Sequence, residues 1–263
     1  MRNREVPELG WKRRSPYVVT MIAATMVVAF SGIVSADPEA DGKESFRLLQ
    51  LGYVALDAGE FETAAEHYRR ARDLALGEEQ LFNATFGLGS AALELSRLAE
   101  AREAFETARD LRPEEAGVTF LLGVTCRRQG DLEMAVTYLA EAAAREPELT
   151  QALVELGIAY GALERHSNAE RVCREVLERE PQNIEAMLGL AVALFHQDEN
   201  QAAVDQFREV LELDPENIRA HYGLGLALVF EKDREGAMVE LRYLNEHAPE
   251  LGTELYGWIF TDG

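Results

Sequence analysis

From residue 45 to residue 251 the apolar and polar positions recur with the period of a helix, and segments of two kinds take turns. One kind is apolar over more than a single face, as in IEAMLGLAVALFHQ from Ile184 and IRAHYGLGLALVFEK from Ile218. The other carries a narrow apolar stripe and is studded with acids, such as Glu170, Glu175, Glu178 and Glu180, or Asp205, Glu209 and Glu212. Short polar stretches separate them: DAGEF, ELSRL, RQGDL, ALERH, HQDEN and FEKDR. The pattern predicts helices joined in pairs by tight turns.

A longer period lies over the helical one. Pro113, Pro147, Pro181, Pro215 and Pro249 each follow the last by 34 residues. Twelve residues before each stands an alanine (Ala101, Ala135, Ala169, Ala203, Ala237), and twelve before that a small residue (Gly89, Gly123, Gly157, Ala191, Gly225) preceded by leucine. An upstream copy has Leu51, Gly52, Ala64, Tyr68 and Ala71 in the matching slots, with Leu76 in place of proline and three extra residues before the next copy. The small residue on the first helix is expected to face the alanine on the second and let the two approach closely. The series Tyr68, Phe105, Leu139, Cys173, Phe207 and Leu241 then fills the space beside that contact. Proline stops each second helix, because it lacks an N–H and disfavours helical geometry in the residue before it.

On these residues the chain resembles the tetratricopeptide repeat family, whose unit is a helix-turn-helix of 34 residues. The resemblance divides residues 45–251 into six repeats: 45–78, 82–115, 116–149, 150–183, 184–217 and 218–251. It departs at the fourth position, where the family often has tryptophan and this chain has Leu48, Thr85, Thr119, Leu153, Met187 and His221. The implied fold is all-α: an α-solenoid of stacked helix pairs in a right-handed superhelix, closed by a capping helix within 252–263. Residues 37–44 read as a linker.

HQDEN raises the question of a metal or acid/base site, since His196, Asp198 and Glu199 fall within five positions. The other copies of that stretch vary in charge, sign and donor type, which fits a solvated turn with no fixed chemistry. The five histidines occupy different repeat slots, and none stands in an HExxH or CxxC context. No phosphate loop or nucleophile elbow occurs, so the reading is non-enzymatic, with no catalytic residue, metal or cofactor. Cys126 and Cys173 take core slots on helices that are not nearest neighbours in such a stack, and are expected to be buried free thiols.

Composition narrows the partners. Asp plus Glu number 47 against 26 for Lys plus Arg, a formal charge of -21, which repels phosphate backbones and disfavours nucleic acid. The N-terminal stretch differs from the rest: Lys12, Arg13 and Arg14 precede an uncharged run from Tyr17 to Val34, and Val34-Ser35-Ala36 offers a signal-peptidase site. Residues 1–36 therefore read as an export signal, giving a periplasmic or secreted protein. The alternative is an uncleaved inner-membrane anchor through residues 17–34, facing the periplasm.

The resemblance implies that the first helices line a concave groove, chiefly through the second, fifth, ninth, twelfth and thirteenth positions. The fifth and ninth positions are Leu49, Tyr53, Phe86, Ser90, Phe120, Val124, Val154, Ile158, Leu188, Val192, Tyr222 and Leu226, an apolar and aromatic set expected to form one continuous stripe. Lysine and asparagine are missing there, which disfavours a carboxylate clamp. Arg127 and Arg128 stand at the groove edge, where they could orient an acidic group. The expectation is a scaffold for bacterial envelope assembly that holds a helix or apolar segment of another protein. The alternative is an anchored platform that self-associates into a homo-oligomer.

Overall fold

The computed structural model describes residues 40–261. Among them it contains thirteen helices and no strand: α1 (Ala40–Asp57), α2 (Phe61–Asp73), α3 (Glu78–Glu94), α4 (Leu98–Leu111), α5 (Ala116–Gln129), α6 (Leu132–Arg145), α7 (Thr150–Ala162), α8 (His166–Arg179), α9 (Ile184–His196), α10 (Asn200–Leu213), α11 (Ile218–Phe230), α12 (Arg234–His247) and α13 (Pro249–Thr261). The odd-numbered helices of the series α1–α11 are the first helices of the sequence pattern and the even-numbered ones the second. The described residues group into two compact units, 40–152 and 153–261. In the first unit each of α1–α6 packs on its chain neighbour, and odd helices touch the next odd helix. In the second unit α8–α13 do the same, with α11 also meeting α13.

The five prolines end helices as expected, through the residue before them. Arg112, Glu146, Glu180, Asp214 and Ala248 leave helical geometry at φ between -125° and -151°, each donating its N–H back to the last turn. Pro249 does more: it is also the first residue of α13, where a missing N–H costs nothing. The terminal helix thus begins at 249, ahead of the 252 boundary predicted from the repeat. Asn183 and Asn217 open α9 and α11 by accepting from the Ala186 and Ala220 N–H groups at 3.0 and 3.1 Å.

The turns inside the helix pairs share one backbone device that the sequence conceals. Gly59, Ser96, Gly130, Glu164, Asp198 and Lys232, equivalent slots 14 residues into each copy, all adopt positive φ, from 56° to 85°. In each, the N–H of the next residue reaches back five positions, as in Glu60 to the Ala55 carbonyl (2.8 Å) and Glu199 to the Leu194 carbonyl (3.0 Å). This is the left-handed closure that satisfies the last carbonyls of a helix. Asp198 of HQDEN occupies that slot, so its place is fixed by backbone geometry.

Packing at the small slots differs from the sequence expectation in one respect. A Cβ at Gly52, Gly89, Gly123 or Gly157 would meet the side chains of Tyr68, Phe105, Leu139 or Cys173, at 2.7 to 3.1 Å. The glycine therefore makes room for the large residue of its own pair, rather than for the alanine. A second set of glycines grips the same series from the following helix: Gly87 against Tyr68, Gly189 against Cys173 and Gly223 against Phe207, at 2.3 to 2.8 Å. The recurring alanines are nonetheless buried, from Ala64 through Ala237. Both cysteines are buried and free, and burial pushes the Cys173 thiol up to about 12 and raises Cys126. They fill space as small apolar groups and are poor nucleophiles.

Candidate functional site: the first-helix face

The predicted groove lining divides sharply by exposure. Leu49, Phe86, Phe120, Val124, Leu188, Tyr222 and Leu226 are all at most 3% exposed, and Ser90 is fully buried. Phe86 stacks on Phe82 (5.9 Å) and meets Phe105 of the paired helix edge-on (6.0 Å). The Tyr222 hydroxyl donates to Glu254 of α13 at 3.2 Å, and burial, then the nearby carboxylate, raises its pKa. Side chains with no surface offer a partner no contact. The fifth-position aromatics expected to anchor a ligand are core residues: the next odd helix packs on the helix of Phe86 and on that of Tyr222, and Phe120 is as fully buried within its own unit.

Four of the predicted residues keep surface. Tyr53 in the first unit and Val154, Ile158 and Val192 in the second are half-buried. Arg127 and Arg128 are also half-buried, and Arg128 Nη1 donates to the Leu93 carbonyl at 3.3 Å, at the C-terminal end of α3. A guanidinium there offsets the partial negative charge of the exposed carbonyls. Arg128 is thus tied to the scaffold, and Arg127 interacts within it as well.

Following only the fifth and ninth positions missed an aromatic line in the second unit. Phe195 of α9 meets Phe230 of α11 edge-on at 5.3 Å, and Phe230 meets Trp258 of α13 at 5.8 Å, with Phe230 and Trp258 half-buried. Phe195 and Phe230 stand at the twelfth and thirteenth positions of their copies, which the resemblance already assigned to the groove.

The histidines also behave differently from the one-dimensional pattern. His166 and His196 fall at different slots, yet their rings stack face to face, 4.4 Å apart and within 5° of parallel. Burial lowers the His166 pKa. Parallel rings direct their in-plane lone pairs side by side, so the pair does not converge on one ion. Among the described residues no group of three or more His, Cys, Asp or Glu is placed to hold a metal. None of the helices described is long and apolar enough to cross a membrane, and residues 17–34 lie outside the described residues.

The family model described as tetratricopeptide repeat matches residues 49–116, 86–150, 154–218 and 199–241, most of the chain. The protein belongs to the tetratricopeptide repeat family. No curated protein sequence matches it. Among solved structures it is similar to a tetratricopeptide repeat protein from Parabacteroides merdae ATCC 43184, with TM-score 0.72 and 18% identity over 83% of this chain and 86% of that one. It is also similar to YrrB, described as a TPR protein with an unusual peptide-binding site (TM-score 0.60, 19% identity, 69% and 96% covered). MamA from Desulfovibrio magneticus RS-1 gives TM-score 0.57 at 18% identity, covering 69% and 97%. At these identities the structures share the tetratricopeptide repeat fold with this chain, and the fold by itself assigns no partner.

Proposed function

We propose that this tetratricopeptide repeat protein is an exported, non-enzymatic scaffold of six repeats that holds an apolar helix or extended segment of another protein against its first-helix face in bacterial envelope assembly. The observation that carries the reading is the half-exposed apolar trio Val154, Ile158 and Val192 on α7 and α9, continued by Phe230 and Trp258 on α11 and α13. Apolar surface on successive first helices is what an apolar segment needs, and the peptide-binding site reported for YrrB occurs on a related fold. The export half of the proposal rests on Lys12–Arg14, the apolar run and Val34-Ser35-Ala36.

Capture from an envelope fraction tests the binding half. Ile158→Asp and Val192→Asp should each lose the partner that the wild type retains, and capture should survive high salt, since the contacts are apolar. Capture that survives both substitutions but disappears in high salt would move recognition to the acidic second helices. Mass spectrometry of the N-terminus tests the export half: Asp37 as first residue supports it, and an intact Met1 supports the membrane anchor.

A further inference from the structure

The outer face of α1 breaks a rule of burial that every later copy of the repeat obeys. At the third, seventh and tenth positions every residue of the five later copies is at most 4% exposed, from Ala84, Leu88 and Ala91 to Ala220, Leu224 and Ala227. Within each unit the preceding second helix packs on such a helix: α2 on α3, α4 on α5, α8 on α9 and α10 on α11. In α1 the same positions hold Arg47, Leu51 and Val54, and no described helix precedes it. The Arg47 side chain is 71% exposed, Leu51 40% and Val54 63%.

A face meant only to meet water would be polar throughout. Here the third and sixth positions are polar, Arg47 and Gln50, but the seventh keeps its leucine. The tenth is alanine or threonine in all later copies and valine here, so the largest side chain of that series stands where exposure is greatest. Lys43, Gln50 and Asp57 complete the exposed arc. Arg47 has Glu44 of its own helix at 3.7 Å, and Asp57 meets no cation among the described residues. The arc therefore carries Lys43 and Arg47 towards its N-terminal end, Leu51 and Val54 in the middle and Asp57 at its C-terminal end. Such a stripe complements itself when two copies run in opposite directions.

We propose that α1 pairs antiparallel with α1 of a second copy of this chain, in a symmetric dimer. With the twofold axis between Leu51 and Val54, Leu51 of each copy lies level with Val54 of the other, and Arg47 of each comes beside Asp57 of the other. Opposed helix dipoles favour the same direction. The chain cannot cover this face with its own leader once residues 1–36 are removed. Three residues would then precede α1, reaching about 10 Å, while Val54 lies about 21 Å along the helix from Ala40. Only that exclusion rests on the export reading above, and the face shares no side chain with Val154, Ile158 and Val192. A helix face about 21 Å long and about 10 Å wide on each copy buries roughly 1,000 Å² in total, the low end for a specific interface. The dissociation constant is expected on the order of 10 to 100 μM.

Analytical ultracentrifugation between about 1 and 200 μM, on the chain purified from the envelope in the form the cell holds, tests this. The wild type should pass from monomer to dimer, and Val54→Asp, at a position too exposed to disturb the fold, should stay monomeric. Arg47→Glu and Asp57→Arg should each weaken association about tenfold or more, since each occurs twice in a symmetric pair. Mixed in equal amounts, the two variants should associate again, because every Arg47–Asp57 contact is then between opposite charges. Ile158→Asp should leave the dimer unchanged, which separates this surface from the first-helix face. A wild type that stays monomeric to 200 μM overturns the proposal, whether its N-terminus proves to be Asp37 or Met1. So does a dimer that Val54→Asp leaves intact, or a mixture of the two charge variants that associates no better than either alone.

Discussion

Ser96, Glu164, Asp198 and Lys232 hold the left-handed turn slot with a side chain that disfavours it, while Gly59 and Gly130 hold it at no steric cost. Glu164→Gly and Lys232→Gly should therefore each raise stability by about 0.5 to 1 kcal/mol, part of the steric gain being returned as unfolded-state entropy. Gly130→Ala should lower it by about 1 kcal/mol, and denaturant titration measures all three. At Gly87 and Gly223 the argument is spatial. An added methyl would lie 2.4 Å from the Tyr68 ring or 2.3 Å from that of Phe207, and overpacking of this kind costs about 1 to 3 kcal/mol. Gly161, with open space around its Cβ position, should accept alanine at no cost. His166 adds a pH dependence. Its folded-state pKa is lowered by burial, so the unfolded chain binds the extra proton first as pH falls below about 6.5. Its contribution is complete above that value and declines as pH falls through the folded-state value. Melts between pH 7.5 and 5.5 should show this slope in the wild type and a shallower one in His166→Phe.

At the scale of helices, the same side chain in the same slot has different work to do according to its neighbours. The recurring leucine is nearly sealed at Leu88, Leu122, Leu190 and Leu224, but 40% exposed at Leu51, and Val54 one turn later is 63% exposed. That face of α1 has no described helix pair before it. Leu122→Ala should then cost about 2 to 5 kcal/mol, and Leu51→Ala much less, about 1 kcal/mol or below. The period, the proline stops and the helix pairing were legible because they depend on residue types repeated at fixed distances. Exposure of the fifth position was not legible, since it depends on how closely the next odd helix approaches. Phe120, read from sequence as a binding anchor, is 1% exposed. Phe120→Ala should therefore unfold rather than merely weaken capture, at a cost of about 3 to 5 kcal/mol in a denaturant titration. The turn slot escaped for a different reason. Its six occupants share no chemistry, only a backbone angle that the closing hydrogen bonds impose.

At the scale of the whole molecule, electrostatics sets two opposing dependences on salt, and magnitude decides between them. Ion pairs between second helices, such as Arg69 with Glu100 and Arg109 with Glu141, are at least a quarter exposed on both sides. Exposed pairs of this kind contribute about 0.2 to 1 kcal/mol each and lose part of it as salt rises. Against them stands the repulsion of a formal charge of -21, much of it on the acidic faces of neighbouring second helices such as α8 and α10. That repulsion acts over longer distances than a contact pair. Shortening the Debye length from about 10 Å at 0.1 M to about 3 Å at 1 M therefore removes more of the repulsion than of the attraction. The melting temperature should accordingly rise by a few degrees between low and high sodium chloride. Melts across that range provide the test, and a falling melting temperature would show that the inter-helix pairs, rather than the relief of crowded carboxylates, dominate the electrostatics of the fold.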